Sequence, residues 1–181
     1  MDTFNPDTPI ATVVDLGFAN FTVVTRDDGT VIASSFDSVE KMAAGRPYVM
    51  GEVPGPALPA LESWLKGDFA PLMEVPVQYS GTPKLVQLRQ ELRNVPAGTV
   101  VTYKQLAEQA GLPTLPRLAG RACSTNPCLL FVPCHRVVST AHIGPPVIPG
   151  QYAGSTEFKA KILAHEGVEV GTETREDYSG F

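Results

Sequence analysis

Cys134 and His135 stand side by side in the segment Pro133-Cys134-His135-Arg136-Val137. A thiol attacks carbon only as its thiolate, and a free cysteine of pKa about 8.5 is a few per cent ionised at neutral pH. A neighbouring imidazole can take that proton, directly or through a water. A carboxylate on the far side of the ring would fix the imidazole tautomer and stabilise the imidazolium. Glu166 is a candidate for that carboxylate. These residue types permit a hydrolase or acyltransferase that turns over, or a thiol that accepts a group once. The competing reading is a buried structural cysteine beside a strand.

The other thiols narrow the chemistry. Cys123, Cys128 and Cys134 lie within twelve positions, and an odd number of closely spaced cysteines is a poor disulfide framework. A reducing compartment fits them. The spacing Cys-x4-Cys-x5-Cys-His lacks the paired knuckles that let a short loop wrap a tetrahedral ion, so no metal is expected. The 181 residues are 43% hydrophobic, ample for a buried core. The sequence shows no secretory, lipidation or membrane-spanning pattern, which makes a soluble cytoplasmic protein the expectation.

The formal charge of −5 argues against nucleic acid as a partner until its distribution is considered. Residues 1–81 hold four Lys/Arg against eleven Asp/Glu, whereas residues 82–181 hold ten against eight. Within 84–136, Lys84, Arg89, Arg93, Lys104, Arg117, Arg121 and Arg136 face only Glu91 and Glu108. The basic stretch coincides with the reactive cysteine, and a merely solvated charged face is the alternative.

Hydrophobic periodicity suggests how these residues are positioned. Residues 11–14, 18–25 and 31–35 are β-prone, and Asp27-Asp28-Gly29 is a hairpin signal, so a small antiparallel sheet is expected. Residues 58–65 could form a short helix, and the breaker-rich stretch 67–82 marks a boundary. Leu85, Leu88, Leu92 and Val95 recur at helical spacing. Thr102 is a plausible N-cap for a helix over 103–109 stopped by Gly111, and Pro116 can open a second helix to about Cys123. Helix, short turn, helix is the outline of a helix-turn-helix. The apolar run 128–132 reads as a buried strand delivering the chain to Cys134, and a last helix runs over 158–165. The expected class is mixed α/β of the α+β kind: a small N-terminal sheet domain and a mainly helical C-terminal domain.

Several motifs occur together: Pro-x-Gly-x-x-x-x-Tyr over 96–103, Arg-x-x-Gly over 117–120, Asn126-Pro127, and Pro-Cys-His-Arg-Val-Val over 133–138. Tyr-x-Gly over 152–154 and His-Glu-Gly over 165–167 complete the set. In this order and spacing the chain resembles the O6-alkylguanine-DNA alkyltransferase family, closely over about 85–168 and more loosely over 9–36. The resemblance implies an N-terminal β-rich, ribonuclease-like domain (1–81), a DNA-binding and catalytic domain (82–170) and a tail (171–181). It implies DNA repair by one irreversible transfer of the alkyl group of O6-alkylguanine, with O4-alkylthymine a second candidate, onto Cys134 after base flipping.

The resemblance also implies roles for single residues. His135 and Glu166 would generate the thiolate, Asn126 would brace the turn, and Tyr103 would crowd the phosphate and help protonate the leaving guanine. Arg117 would fill the gap left by the flipped base, and Arg121, Tyr103 and Arg136 would be further contacts to double-stranded DNA. Val137, Tyr152, Ala153 and Cys123 would line the base pocket. No cofactor is implied, and a monomer is expected. The sequence departs from the family pattern at the bulky Leu115, Pro116 and Leu118, at Lys84 and Arg89 in place of aromatics, at the small Cys123, and in the proline-rich loop 139–151. Relatives with tryptophan in place of the cysteine bind alkylated DNA without repairing it; Cys134 argues against that reading.

Overall fold

The computed structural model describes residues 7–152 and 155–171. Strands β1 (Ile10–Asp15), β2 (Asn20–Thr25) and β3 (Val31–Ser35) form an antiparallel meander. At the β2–β3 turn Gly29 has φ +88°, a conformation that costs glycine little. A Cβ there would lie 2.8 Å from the Cα of Gly55, so the hairpin and the proline-rich segment meet backbone to backbone.

Two short elements escape sequence reading because neither is long enough to display a period. These are α1 (Val39–Ala43), capped by Ser38, and β4 (Val49–Met50), which pairs parallel to β1. The sheet order is therefore β3-β2-β1-β4, antiparallel apart from one edge. Helix α2 (Ala57–Leu65) lays Ala57, Ala60, Leu61 and Trp64 on its buried face.

Helix α3 (Pro83–Leu92) starts at the Thr82 cap and buries Leu85, Leu88 and Leu92, with Arg89 among them. The buried Arg89 guanidinium is satisfied by the carbonyls of Ser80 (2.7 Å), Thr125 (3.1 Å) and Ala122 (3.3 Å). Strand β5 (Val101–Thr102) runs directly into α4 (Tyr103–Gln109), where Thr102 and Gln105 form a reciprocal capping box. Gly111, at φ +78°, then turns the chain, and α5 (Pro116–Ser124) opens with its proline in the first turn. The small residues Ala119 and Ala122 let α5 pack closely, leaving Arg117 and Arg121 exposed.

The run 128–132 is a correction to the strand expectation. Only Cys128 pairs as a strand residue would, in a single parallel bridge to Ser34 of β3; the rest is a series of tight turns in which Leu130 has φ +68°, followed by a 3-10 turn at Cys134–Arg136. An unbroken apolar run carries no period, so it cannot distinguish strand from buried turn. Strand β6 (Val137–Val138) follows and pairs parallel to β5, Val101 opposite Val137. That pairing brings the start of α4, with Tyr103, to the segment bearing Cys134. Helix α6 (Thr156–His165), capped by Ser155, is followed by a short segment in which Val170 bridges to Val147. The expected tail from 172 onward lies outside the described residues.

The main core joins Phe21, Val23 and Trp64 from the first half of the chain with Leu88, Leu106 and Phe131 from the second. A smaller cluster of Val138, Val147 and Leu163 fastens the proline-rich loop, helped by Val147 N–H donating to Glu169 O at 2.8 Å. Removing the Thr102 cap should expose how far the α4 start depends on it. Thr102→Ala is expected to lower unfolding stability by about 1 kcal/mol, read from the urea midpoint at unchanged slope.

Candidate active site around Cys134

Asn126, at the end of α5, holds the turn that carries the thiol. Its Nδ2 donates to Val132 O (2.8 Å) and its Oδ1 accepts from Cys128 N–H (3.0 Å), bridging the two ends of the apolar run. Strand β3 clamps the same run from the other side, with Ser34 Oγ donating to Leu129 O at 2.7 Å. Such satisfied polar contacts fix a turn that has only one β-bridge, Cys128 to Ser34, to hold it. Cys134 is 5% exposed and lines a cleft of about 490 Å³ with Tyr103, Gly120, Cys123, Tyr152 and Lys159.

Burial pushes the Cys134 thiol up from its ordinary pKa, opposed by the Asn126 amide and the positive charges of Lys159 and Arg89. The group is therefore a protonated thiol at neutral pH, and it needs a base before it can act as a nucleophile. His135 is fully buried, and burial pushes its pKa below the ordinary 6.5 against the attraction of Glu166. The imidazole is thus neutral. Its Nε2 lies 2.9 Å from Glu166 Oε1. Burial works to raise the Glu166 carboxyl, but His135 and then Arg136 outweigh it and hold the group well below the ordinary carboxylate range. An ionised carboxylate only accepts, so Nε2 carries the hydrogen and Nδ1 carries the lone pair. Nδ1 has no hydrogen-bond partner among the described residues and is the nitrogen available as a base.

Arg136 is a correction. Expected at DNA, it is 1% exposed and turned inward, with Nε and a terminal nitrogen donating to the two Glu166 oxygens at 3.0 and 2.8 Å. It also donates to Val95 O at 2.8 Å. A carboxylate beside a neutral imidazole needs a countercharge once water is excluded, and Arg136 supplies it. With Arg89 and Arg93 also spent on backbone carbonyls, the exposed cations of the basic stretch reduce to Lys84, Lys104, Arg117 and Arg121.

Tyr103 and Tyr152 face the cleft as phenols. Burial above all pushes Tyr103 up to about 12 and Tyr152 well above its ordinary value, the negative charge of Glu166 adding to the effect at Tyr152. The Tyr152 hydroxyl has no hydrogen-bond partner among the described residues. Cys123 shares the cleft, its thiol also pushed up by burial. Val137 is buried behind the site, and its carbonyl accepts from Lys159 Nζ at 2.7 Å. Ala153 lies outside the described residues. No group of three or more His, Cys, Asp or Glu among the described residues could hold a metal ion.

The sequence reading missed Lys159 and Trp64. Lys159 shares the apolar stripe of α6 with Ile162 and Leu163, and a lysine at that helical phase was the available signal. Trp64 Nε1 donates to Glu166 Oε2 at 3.0 Å across 102 positions, and nothing local in the sequence announces it.

A family model described as the DNA-binding domain of 6-O-methylguanine DNA methyltransferase matches residues 86–168. A methylated-DNA--protein-cysteine methyltransferase of Metallosphaera sedula is 31% identical over 150 residues, covering 83% of this chain and 88% of the relative. The chain belongs to this methyltransferase family. A Shigella flexneri relative of the same name is 37% identical over 114 residues, covering 63% of this chain and 64% of its own length. Among solved structures, the O6-methylguanine methyltransferase of Mycobacterium tuberculosis shares the fold. Its TM-score is 0.71 at 21% identity, covering 91% of this chain and 96% of that one. The M. tuberculosis protein in complex with DNA matches at TM-score 0.72 and 21% identity, covering 89% and 94%. The methyltransferase match at 86–168 encloses α4, α5, the Cys134 turn and Glu166.

The charge arrangement has a pH signature. An unfolded Glu takes up a proton below about 4.5 and an unfolded His below about 6.5, while the folded groups resist protonation. The unfolded chain then binds more protons, so the stability these groups supply is complete above pH 6.5. The His135 part is lost first as pH falls and the Glu166 part below 4.5. Glu166→Gln should cost about 3–5 kcal/mol at pH 7, because it strands Arg136 as a buried cation. The gap from wild type should narrow below pH 4.5 in urea unfolding.

Proposed function

We propose that this protein repairs DNA by taking the alkyl group of O6-alkylguanine onto Cys134, with O4-alkylthymine as a secondary substrate. It does so once per molecule, as a monomer in the cytoplasm. The observation that carries this reading is a buried thiol at the wall of a base-sized cleft, backed by a neutral His135 whose Nε2–H is held by an ionised Glu166. Residues 82–170 are proposed as the DNA-binding and transfer unit, and residues 1–81 as the support on which its turn is clamped.

In the proposed reaction His135 Nδ1 takes the thiol proton, directly or through a water, and Glu166 and Arg136 balance the imidazolium that forms. The Sγ lone pair attacks the alkyl carbon and forms a C–S bond. The C–O6 bond breaks, and its electron pair leaves on guanine, which is protonated with Tyr103 as donor. A high phenol pKa keeps that proton available at neutral pH. The thioether product has no chemical route back, and no cofactor is needed.

The reacting carbon is inaccessible inside a stacked duplex, so the nucleotide must swing out, at a cost of a few kcal/mol. Arg117, exposed in the first turn of α5, is proposed to enter the stack in its place, with Arg121 one turn on toward phosphate. The small Gly120 and Cys123 beside Tyr103 leave room for the flipped base.

Intact mass after incubation with an O6-methylguanine duplex should show a single +14 Da adduct, as expected for one methyl replacing one hydrogen, and Cys134→Ala should show none. Repeated turnover would instead mark a hydrolase, and binding without an adduct a lesion-binding protein. Arg117→Ala is expected to slow repair of duplex DNA at least about tenfold, a loss of roughly 1.4 kcal/mol, while leaving reaction with free O6-benzylguanine near wild type. Equal losses on both substrates would remove the finger assignment.

A further inference from the structure

The Glu166 carboxylate receives four hydrogen bonds. Oε1 accepts from His135 Nε2 and Arg136 Nε, and Oε2 accepts from Arg136 and from Trp64 Nε1. Three of these come from the turn that carries Cys134, but the fourth comes from α2, in the opposite half of the chain. Trp64 is 1% exposed and is the single tryptophan of the sequence. The contact is doubled. His165 Nε2 donates to Trp64 O at 2.7 Å, and the His165 ring lies against the indole at 4.4 Å between centroids. Helix α2 thus grips two consecutive residues at the end of α6, one by its backbone carbonyl and one by its indole.

We propose that Trp64 is a positioning residue for alkyl transfer: its indole N–H fixes and partly neutralises Glu166, and so sets how strongly the carboxylate supports His135 as a base. This inference rests on the reading of Cys134, His135 and Glu166 as the acceptor relay. The physical step is simple. A carboxylate in a water-excluded site distributes its charge among its donors, and each donor on Oε2 draws charge away from the His135 side. Without the indole N–H, Oε1 would hold the imidazolium more tightly, and Glu166 would be freer to rotate about its terminal torsion. The other ionisable groups around the pair are Arg136 from the same turn, Lys159 and His165 from α6, and Cys134 and Tyr152 from the cleft. Apart from Arg136, none of these donates to Glu166, so the indole is the donor whose removal alters the carboxylate without changing net charge.

Two measurements on the full chain test the proposal. The rate of reaction with free O6-benzylguanine falls in acid as His135 becomes protonated. Trp64→Phe retains a ring beside His165 but removes the donor, and should move that acid limb upward by about half to one pH unit. A role confined to packing would lower the active fraction and leave the limb in place. In wild type, the single indole N–H resonance should shift with pH at the same midpoint as the kinetic limb, because two hydrogen bonds connect it to the titrating ring. It should also move in Glu166→Gln. A flat indole resonance, or a folded Trp64→Phe protein with the wild-type limb, overturns the proposal. Absence of any adduct in wild type would overturn the acceptor reading instead, so the two failures are distinguishable.

Discussion

Burying one carboxylate obliges a large part of this molecule to arrange itself around it. Glu166 sits 4% exposed at the end of α6, where an isolated anion would be prohibitively costly. It persists because His135, Arg136 and Trp64 converge on it with four hydrogen bonds. The partners arrive on two separate constraints: Arg136 and His135 through the 3-10 turn, Trp64 through the packing of α2. A hydrophobic cluster of equal volume could hold the chain as firmly. What the ionic cluster adds is a fixed imidazole tautomer, and that is a chemical property rather than a mechanical one.

The same economy governs the thiol. Its burial keeps it protonated until a base is engaged, so the buried thiol by itself is a poor nucleophile. The turn that presents it is paired to β3 by a single bridge, Cys128 to Ser34, so its rigidity comes from that bridge, from the Ser34 hydroxyl and from Asn126 within the segment. The sheet of the first half and the helices of the second therefore meet at the active-site turn, and a disturbance of either would be felt at Sγ.

DNA would be met by a surface less basic than the sequence suggests. Arg89, Arg93 and Arg136 serve the interior, each satisfying carbonyls or a carboxylate that have lost access to water. The remaining exposed cations are few: Lys84 and Lys104 in the first turns of α3 and α4, and Arg117 and Arg121 on α5, the helix that contributes Gly120 and Cys123 to the cleft wall.

Much of the helix-turn-helix was determined by the sequence alone, because capping and turn formation depend on residues three or four positions apart. Thr102 with Gln105, Gly111 and Pro116 specify where α4 begins and ends and where α5 begins. The cysteine–histidine pair and its candidate carboxylate were equally legible, being statements about chemical type. Only the tertiary structure decided that the run 128–132 is a set of turns, that Arg136 faces inward, and that Trp64 and Lys159 belong to the site. A sequence displays its charges and donors but not their partners, and whether a polar group is buried depends on partners tens of positions away. Cys134 could be read as a candidate nucleophile from its neighbours. The surroundings of its histidine and carboxylate are assembled by contacts such as Trp64 to Glu166, which exist only once both halves have packed.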